Sequence, residues 1–215
     1  MADDLRLTSV TIPGPAGELE GIINASASGE PRAIAVLGHP LPTAGGTMHT
    51  KGVFHAARGL ARIGCPVLRF NFRGVGKSAG VFDAGQGERD DFKAALDFMI
   101  ARYPGITKIR AGGMSFGAWV GMTVGAEDSR VRTLLGIAPP VNKYDFSAVV
   151  SASKATFLIH GGLDELISIK EVRKFYGQLS EPKELVEIDG ADHLFDGRVG
   201  EVGEAVEDLL QDYDD

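Results

Sequence analysis

The sequence predicts an α/β fold: a mostly parallel central sheet, opened by an antiparallel hairpin and covered by helices on both faces. Three observations predict it. Short, nearly continuous apolar runs recur at Ala33 to Leu37, Val67 to Phe72, Ile109 to Met114, Val131 to Ile137 and Ala155 to Ile159, the pattern of strands buried on both faces. Segments with helical apolar spacing alternate with these runs. The 29 glycines fall mostly at the ends of the runs, where tight strand-to-helix turns call for them.

Taken in order, Leu5 to Ile12 and Leu19 to Ala25 alternate apolar and polar residues about the turn-forming Pro13-Gly14-Pro15-Ala16-Gly17, which predicts a hairpin. After Gly29-Glu30-Pro31 the period changes to the buried runs. Between them a helix carrying Phe54, Ala57, Leu60 and Ala61 stops at Gly64 and Pro66, and another carrying Phe92, Ala95, Leu96, Met99, Ile100 and Tyr103 stops at Pro104-Gly105. The second opens with Glu88, Asp90 and Asp91, acids that the helix dipole favours. Ser168 and Glu171 have capping-box spacing ahead of Ile169, Val172, Phe175, Tyr176 and Leu179, and a last helix carries Val202, Ala205, Val206, Leu209 and Leu210. With 215 residues, no repeat and no linker, residues 1–215 are expected to form one domain burying roughly 70% of the unfolded surface.

Composition narrows the function. Against 29 acidic residues stand 22 basic ones, a net charge of -7 that repels a phosphate backbone, so no nucleic-acid partner is expected. No apolar run reaches the roughly 18 residues of a membrane span, so no membrane partner is expected either. The lone Cys65 cannot form an internal disulfide, and the start Met-Ala-Asp-Asp-Leu-Arg lacks a secretory apolar region, which together predict a cytoplasmic protein.

Chemistry enters with G-x-S-x-G, a turn that lifts a serine above a sheet edge. It occurs twice, at Gly113-Met114-Ser115-Phe116-Gly117 and at Gly76-Lys77-Ser78-Ala79-Gly80. Only Ser115 follows an apolar strand and precedes a helix-compatible stretch, Ala118 to Met122, so Ser115 is the candidate nucleophile. Gly76-Lys77-Ser78 also ends like a phosphate loop, but Asn71 stands where the first glycine is required and no helix follows, which argues against nucleotide binding.

A neutral serine needs a base, and the base an acid that fixes its tautomer. The expected chain order is Ser, acid, His. His193, in the polar loop after Glu184 to Ile188, fits the base; His160, the other histidine after Ser115, lies at the end of a buried strand and reads as a hydrogen-bonded core residue. Asp164, in Gly161-Gly162-Leu163-Asp164-Glu165, fits the acid, with Asp145 as competitor and Asp192 too close in sequence to the base. An oxyanion hole takes one donor from the residue after the nucleophile, Phe116, and one from the loop His39-Pro40-Leu41-Pro42, where Leu41 supplies the N–H that its flanking prolines lack.

These residues resemble the α/β-hydrolase superfamily, and within it the short bacterial hydrolases related to dienelactone hydrolases. The similarity rests on His39-Pro40-Leu41-Pro42, Gly45-Gly46-Thr47-Met48, Phe70 to Gly76, the Ser115 elbow, Gly161 to Glu165 and Ala191-Asp192-His193, and it covers nearly the whole chain from residue 19. Leu41 stands where the group typically shows a second histidine, and Ser115 stands where dienelactone hydrolases use cysteine, which favours ordinary ester cleavage. The resemblance implies a structural role for Arg73 and its glycines. The connection between Ile137 and Ala155 is too short for a cap domain, so the site should be open, with Tyr144 and Phe146 as candidate walls of a substrate pocket. The open site predicts a preference for short over long acyl chains, because without a cap there is little apolar wall to bury extra methylenes. The function expected is therefore a serine hydrolase that cleaves small carboxylic esters through an acyl-enzyme, using Ser115, His193 and Asp164 with no metal or organic cofactor. Thioester, lactone or peptide hydrolysis on the same residues, or a silent binding module, are the alternatives.

Overall fold

The computed structural model describes residues 6–27 and 29–213. Eight strands form one sheet: β1 (Leu7–Gly14), β2 (Gly17–Asn24), β3 (Ile34–Gly38), β4 (Val67–Phe70), β5 (Ile109–Met114), β6 (Val131–Ile137), β7 (Ala155–Gly161) and β8 (Lys183–Ile188). Their spatial order is β1-β2-β4-β3-β5-β6-β7-β8. β2 runs antiparallel to both β1 and β4, and every pairing from β4 to β8 is parallel.

The helices are α1 (Lys51–Arg62), α2 (Gln86–Arg102), α3 (Phe116–Glu127), α4 (Ser147–Ser151), α5 (Ile169–Tyr176) and α6 (Val199–Leu210). α1 and α6 pack one face of the sheet around Val53, Leu60, Val202 and Val206. α2 to α5 cover the other around Phe92, Leu96, Val120 and Val172. Among the described residues no helix is long and apolar enough to cross a membrane.

Most elements follow the sequence reading within a residue or two. The hairpin differs: its strands continue to Gly14 and restart at Gly17, which face each other, leaving only Pro15-Ala16 as the loop. Pro13 stays in the strand because β1 is the sheet edge, where a missing N–H breaks no inner ladder. The expected start of this strand at Leu5 lies outside the described residues. β7 extends past Ile159 through His160 and Gly161, which carries its loop further towards the site. Ser168 caps α5 by accepting from the Lys170 N–H at 3.3 Å.

Strand order creates the crevice. From β3 the chain crosses through α1 to β4 on one side, then returns through α2 to β5 on the other. The loops after β3 and β5 therefore part at the carboxyl edge, where open α/β sheets bind ligands. The loops after β7 and β8 reach the same edge.

Close packing of α3 against the sheet depends on missing side chains. A Cβ on Gly121 would lie 2.3 Å from the Gly112 carbonyl oxygen, whereas one on Gly200, in the first turn of α6, would meet nothing within 4 Å. Gly121→Ala should therefore destabilise the protein by about 3 kcal/mol, and Gly200→Ala should stabilise it by about 0.5 kcal/mol. Urea unfolding midpoints of the two variants check both signs.

Candidate active site

Ser115 sits between β5 and α3 with φ 52° and ψ -122°, a backbone conformation that L residues rarely adopt. Its neighbours enforce it. A Cβ on Gly113 would lie 2.3 Å from the Gly38 oxygen, and one on Gly117 would lie 2.2 Å from the Gly38 carbonyl carbon, so the elbow and the end of β3 interlock backbone to backbone. The Ser115 N–H donates to the Ile137 carbonyl at 2.8 Å, and its own carbonyl accepts from Ala118 at the start of α3. The side chain is left projecting over the sheet edge.

His193 Nε2 lies 2.9 Å from Ser115 Oγ, and its Nδ1 lies 2.7 Å from Asp164 Oδ2. A carboxylate only accepts, so Nδ1 carries the proton and Nε2 turns its lone pair to the serine hydroxyl. Asp164 is fixed in turn, its Oδ1 accepting the N–H groups of Leu166 and Ile167, both at 2.9 Å. Burial alone would raise the Asp164 carboxyl, but the bonds from His193 and Ile167 outweigh it and hold the group below the usual carboxylate range.

Asp164 and His193 come from loops that are tied together. Gly162 N–H donates to Ile188 O at 2.9 Å and Leu163 N–H to Ala191 O at 2.8 Å. Gly161 allows this approach, since a Cβ there would lie 2.5 Å from the Ala191 oxygen. Asp192 turns its carboxylate back on the N–H groups of Leu194 and Asp196 and so shapes the loop that carries His193.

The competing residues are placed elsewhere. Asp145 caps α4 through the Ser147 N–H and hydroxyl at 2.8 and 2.9 Å. His160 is buried and donates from Nε2 to the Ile167 carbonyl at 2.9 Å, with Asp164 Oδ2 3.6 Å away. Burial keeps its imidazole neutral by lowering its pKa. Ser78 is buried, donates to Asn71 O at 2.6 Å and accepts from the Glu20 N–H. The Glu20 carboxylate accepts the Lys77 N–H at 2.9 Å, so an acid stands where a phosphate loop would receive a phosphate. Arg73 makes a two-pronged ion pair with the buried Asp91, at 3.0 and 2.8 Å, consistent with the structural role that the resemblance implied.

A cleft of about 710 Å³ opens over Ser115 and His193, with Leu41, Phe116 and Tyr144 in its wall. Neither the Leu41 nor the Phe116 N–H donates to another described residue. Tyr144 stacks on Trp119 at 4.3 Å between ring centroids. Phe146 corrects an expectation: it is buried, its ring lies 5.1 Å from Phe175, and it lines no part of this cleft. The turn at Asp145 points it into the core beneath α4 instead.

Two contributions were not read from the sequence. His39 donates from Nδ1 to the Pro40 carbonyl at 2.7 Å and accepts the Phe72 N–H on Nε2 at 3.1 Å, so it pins the loop of Leu41 to the end of β4. A histidine between a strand-ending glycine and a proline was the only available signal. Leu163, Leu166 and Leu194 also line the cleft while largely exposed.

A strained serine on a strand-to-helix elbow, at the carboxyl edge of such a sheet and hydrogen-bonded to a histidine, defines an α/β serine hydrolase. Comparison with known proteins agrees. A Xanthomonas campestris α/β serine hydrolase described as lacking a lid superposes with a TM-score of 0.88 at 34% identity, covering 96% of this chain and 94% of that one. An α/β serine hydrolase homologue from Coxiella burnetii gives 0.85 at 35% identity, over 94% and 97%. An uncharacterized Rickettsia prowazekii protein is 38% identical over 205 residues, 92% of this chain and 86% of its own. A family model described as serine aminopeptidase, S33, matches residues 29–155, and the chain belongs to that family of hydrolases.

His39 makes stability depend on pH. Burial lowers its pKa from 6.5 to about 4, although the bond to Pro40 opposes the shift. Between these values the unfolded chain takes up a proton that the folded protein refuses, so stability falls as pH falls through this window. The loss is about 3 kcal/mol between pH 7 and 4. His39→Gln should be less stable at pH 7 yet lose about 3 kcal/mol less on acidification, as read from urea unfolding at both pH values.

Proposed function

We propose that the protein is a carboxylic ester hydrolase working through Ser115, His193 and Asp164. The observation that carries this reading is the unbroken chain from Ser115 Oγ to His193 Nε2, and from His193 Nδ1 to Asp164, at 2.9 and 2.7 Å.

In this reading Ser115 Oγ attacks the ester carbonyl as its proton passes to His193 Nε2, and the imidazolium is stabilised by Asp164. The oxyanion is received by the N–H groups of Leu41 and Phe116, which have no acceptor among the described residues. The tetrahedral adduct collapses, the C–O bond breaks, and the alcohol leaves with the proton from His193. Water then attacks the acyl-enzyme, gives its proton to His193, and releases the acid with Ser115 restored. Neutral His39 keeps the oxyanion loop in place throughout, because each of its ring nitrogens is already committed.

A fluorophosphonate probe should label Ser115, as located by mass mapping. Ser115→Ala should abolish both labelling and hydrolysis of a short activated ester. Ser78→Ala should keep its turnover per folded molecule, although losing two hydrogen bonds should cost about 1–2 kcal/mol of stability. Near-normal turnover by Ser115→Ala would overturn the assignment.

The acid is tested separately. Asp164→Asn removes the acceptor that fixes the His193 tautomer, and in a comparable triad that change costs about 10⁴-fold in kcat. Asp145→Asn should leave kcat/KM within about two-fold, since its carboxylate serves only α4, a surface contact. Steady-state kinetics of both variants decide between them.

A further inference from the structure

The described residues include five large apolar side chains that are strongly exposed: Leu7, Val81, Leu163, Leu166 and Leu194. Single exposed apolar residues are ordinary. Here three of the five line one cleft, the one over Ser115, and they are 65%, 55% and 47% exposed. They arrive from two loops. Leu163 and Leu166 flank Asp164, whose carboxylate holds the Leu166 N–H, while Leu194 follows His193 and gives its own N–H to Asp192. The bonds that set the acid and the base thus also set the leucines, and the shelf they form is held in register with the reacting serine.

The charges around it offer a charged arm no cluster of one sign. Lys143, Glu165 and Asp192 line the same cleft, one cation against two acids, so an anionic arm finds no cluster of cations. Of the two acids, Asp192 already accepts two backbone N–H groups on Oδ1, so a cationic arm finds no pair of unengaged carboxylates. A cleft of about 710 Å³ lies within the roughly 300–1,000 Å³ range that holds drug-sized ligands, and an acetyl ester would leave most of it to water.

We infer that Leu163, Leu166 and Leu194 are specificity-determining residues that seat a linear, uncharged apolar arm of the substrate ester. The arm is longer than an acetyl group, which would leave most of the cleft to water. The inference rests on Ser115 being the nucleophile of an ester hydrolase. It reverses the short-chain preference that a capless site implies, because the exposed leucines supply the apolar wall that a cap would otherwise provide.

The test is a series of p-nitrophenyl esters from acetate to octanoate, beside a series of alkyl acetates of matching length, all kept below their solubility limits. A methylene lying on a one-sided shelf gains about half the effect of full burial, so kcat/KM should rise about two-fold per methylene in one of the two series. In Leu163→Ser/Leu166→Ser and in Leu194→Ser the octanoate-to-acetate ratio, or its alkyl counterpart, should fall at least five-fold. Val81→Ser, an equally polar change at an exposed residue outside the cleft, should leave that ratio unchanged.

A flat or falling dependence in both series would overturn the proposal, as would leucine variants with the wild-type ratio. So would two other outcomes: a jump in rate seen only in a separate run with the esters taken above their solubility limits, which would make the leucines a lipid-interface contact, or sedimentation showing that the variants change only self-association. These results differ from failure of the parent reading, in which no ester is hydrolysed and Ser115 takes no fluorophosphonate label.

Discussion

The interlock of three glycines, Gly38, Gly113 and Gly117, is the constraint on which the site depends. Their backbones approach closely enough that a Cβ on either elbow glycine would lie within 2.3 Å of Gly38 atoms. That contact presses the elbow against the end of β3 and leaves Ser115 no relaxed conformation. Holding a non-glycine residue at φ 52° and ψ -122° costs about 1–3 kcal/mol, supplied by the surrounding packing. The return is a hydroxyl lifted clear of the sheet at the N-terminus of α3, beside the Phe116 N–H.

From that fixed point the other parts are set by short bonds between loops rather than by long elements. The β7 and β8 loops are tied at Gly162–Ile188 and Leu163–Ala191, which brings Asp164 and His193 together before any substrate arrives. On the opposite side His39 ties the Leu41 loop to Phe72. A positioning residue of this kind works best when it cannot change charge, and burial serves that end by lowering the His39 pKa to about 4. The same burial makes folding sensitive to acid, so preorganisation of the loop and acid lability share one cause.

The chemistry of the cleft joins two environments. Along the line from Ser115 to Asp164 each polar side chain has a named partner. The remaining wall is mostly apolar and includes Tyr144, stacked on Trp119, and the exposed leucines. Binding energy from such a wall is proportional to the apolar area an ester covers, whereas the bonds at the serine set the reaction. In the reading proposed above, chain-length preference and turnover are governed by different residues on the same loops.

Much of this was legible in the sequence, and the reason is local. Buried parallel strands announce themselves as apolar runs, helices by their spacing and stops, and the elbow by glycines on both sides of Ser115. The chain order of Ser115, Asp164 and His193 could be matched to one another because each follows its own strand. What required the tertiary structure was direction. Tyr144 and Phe146 are two residues apart and equally aromatic, yet the first faces the cleft and the second packs on Phe175. Asp164 and Asp145 both follow strands, but only one meets His193. Leu163, Leu166 and Leu194 read as ordinary loop leucines until two distant loops bring them to one rim, and His39 as a motif residue until Phe72 arrives from β4. Sequence pattern determined which elements form and in what order they reach the sheet edge, since those are short-range backbone preferences. Which side chains share the cleft was decided only by contacts between segments far apart in the chain.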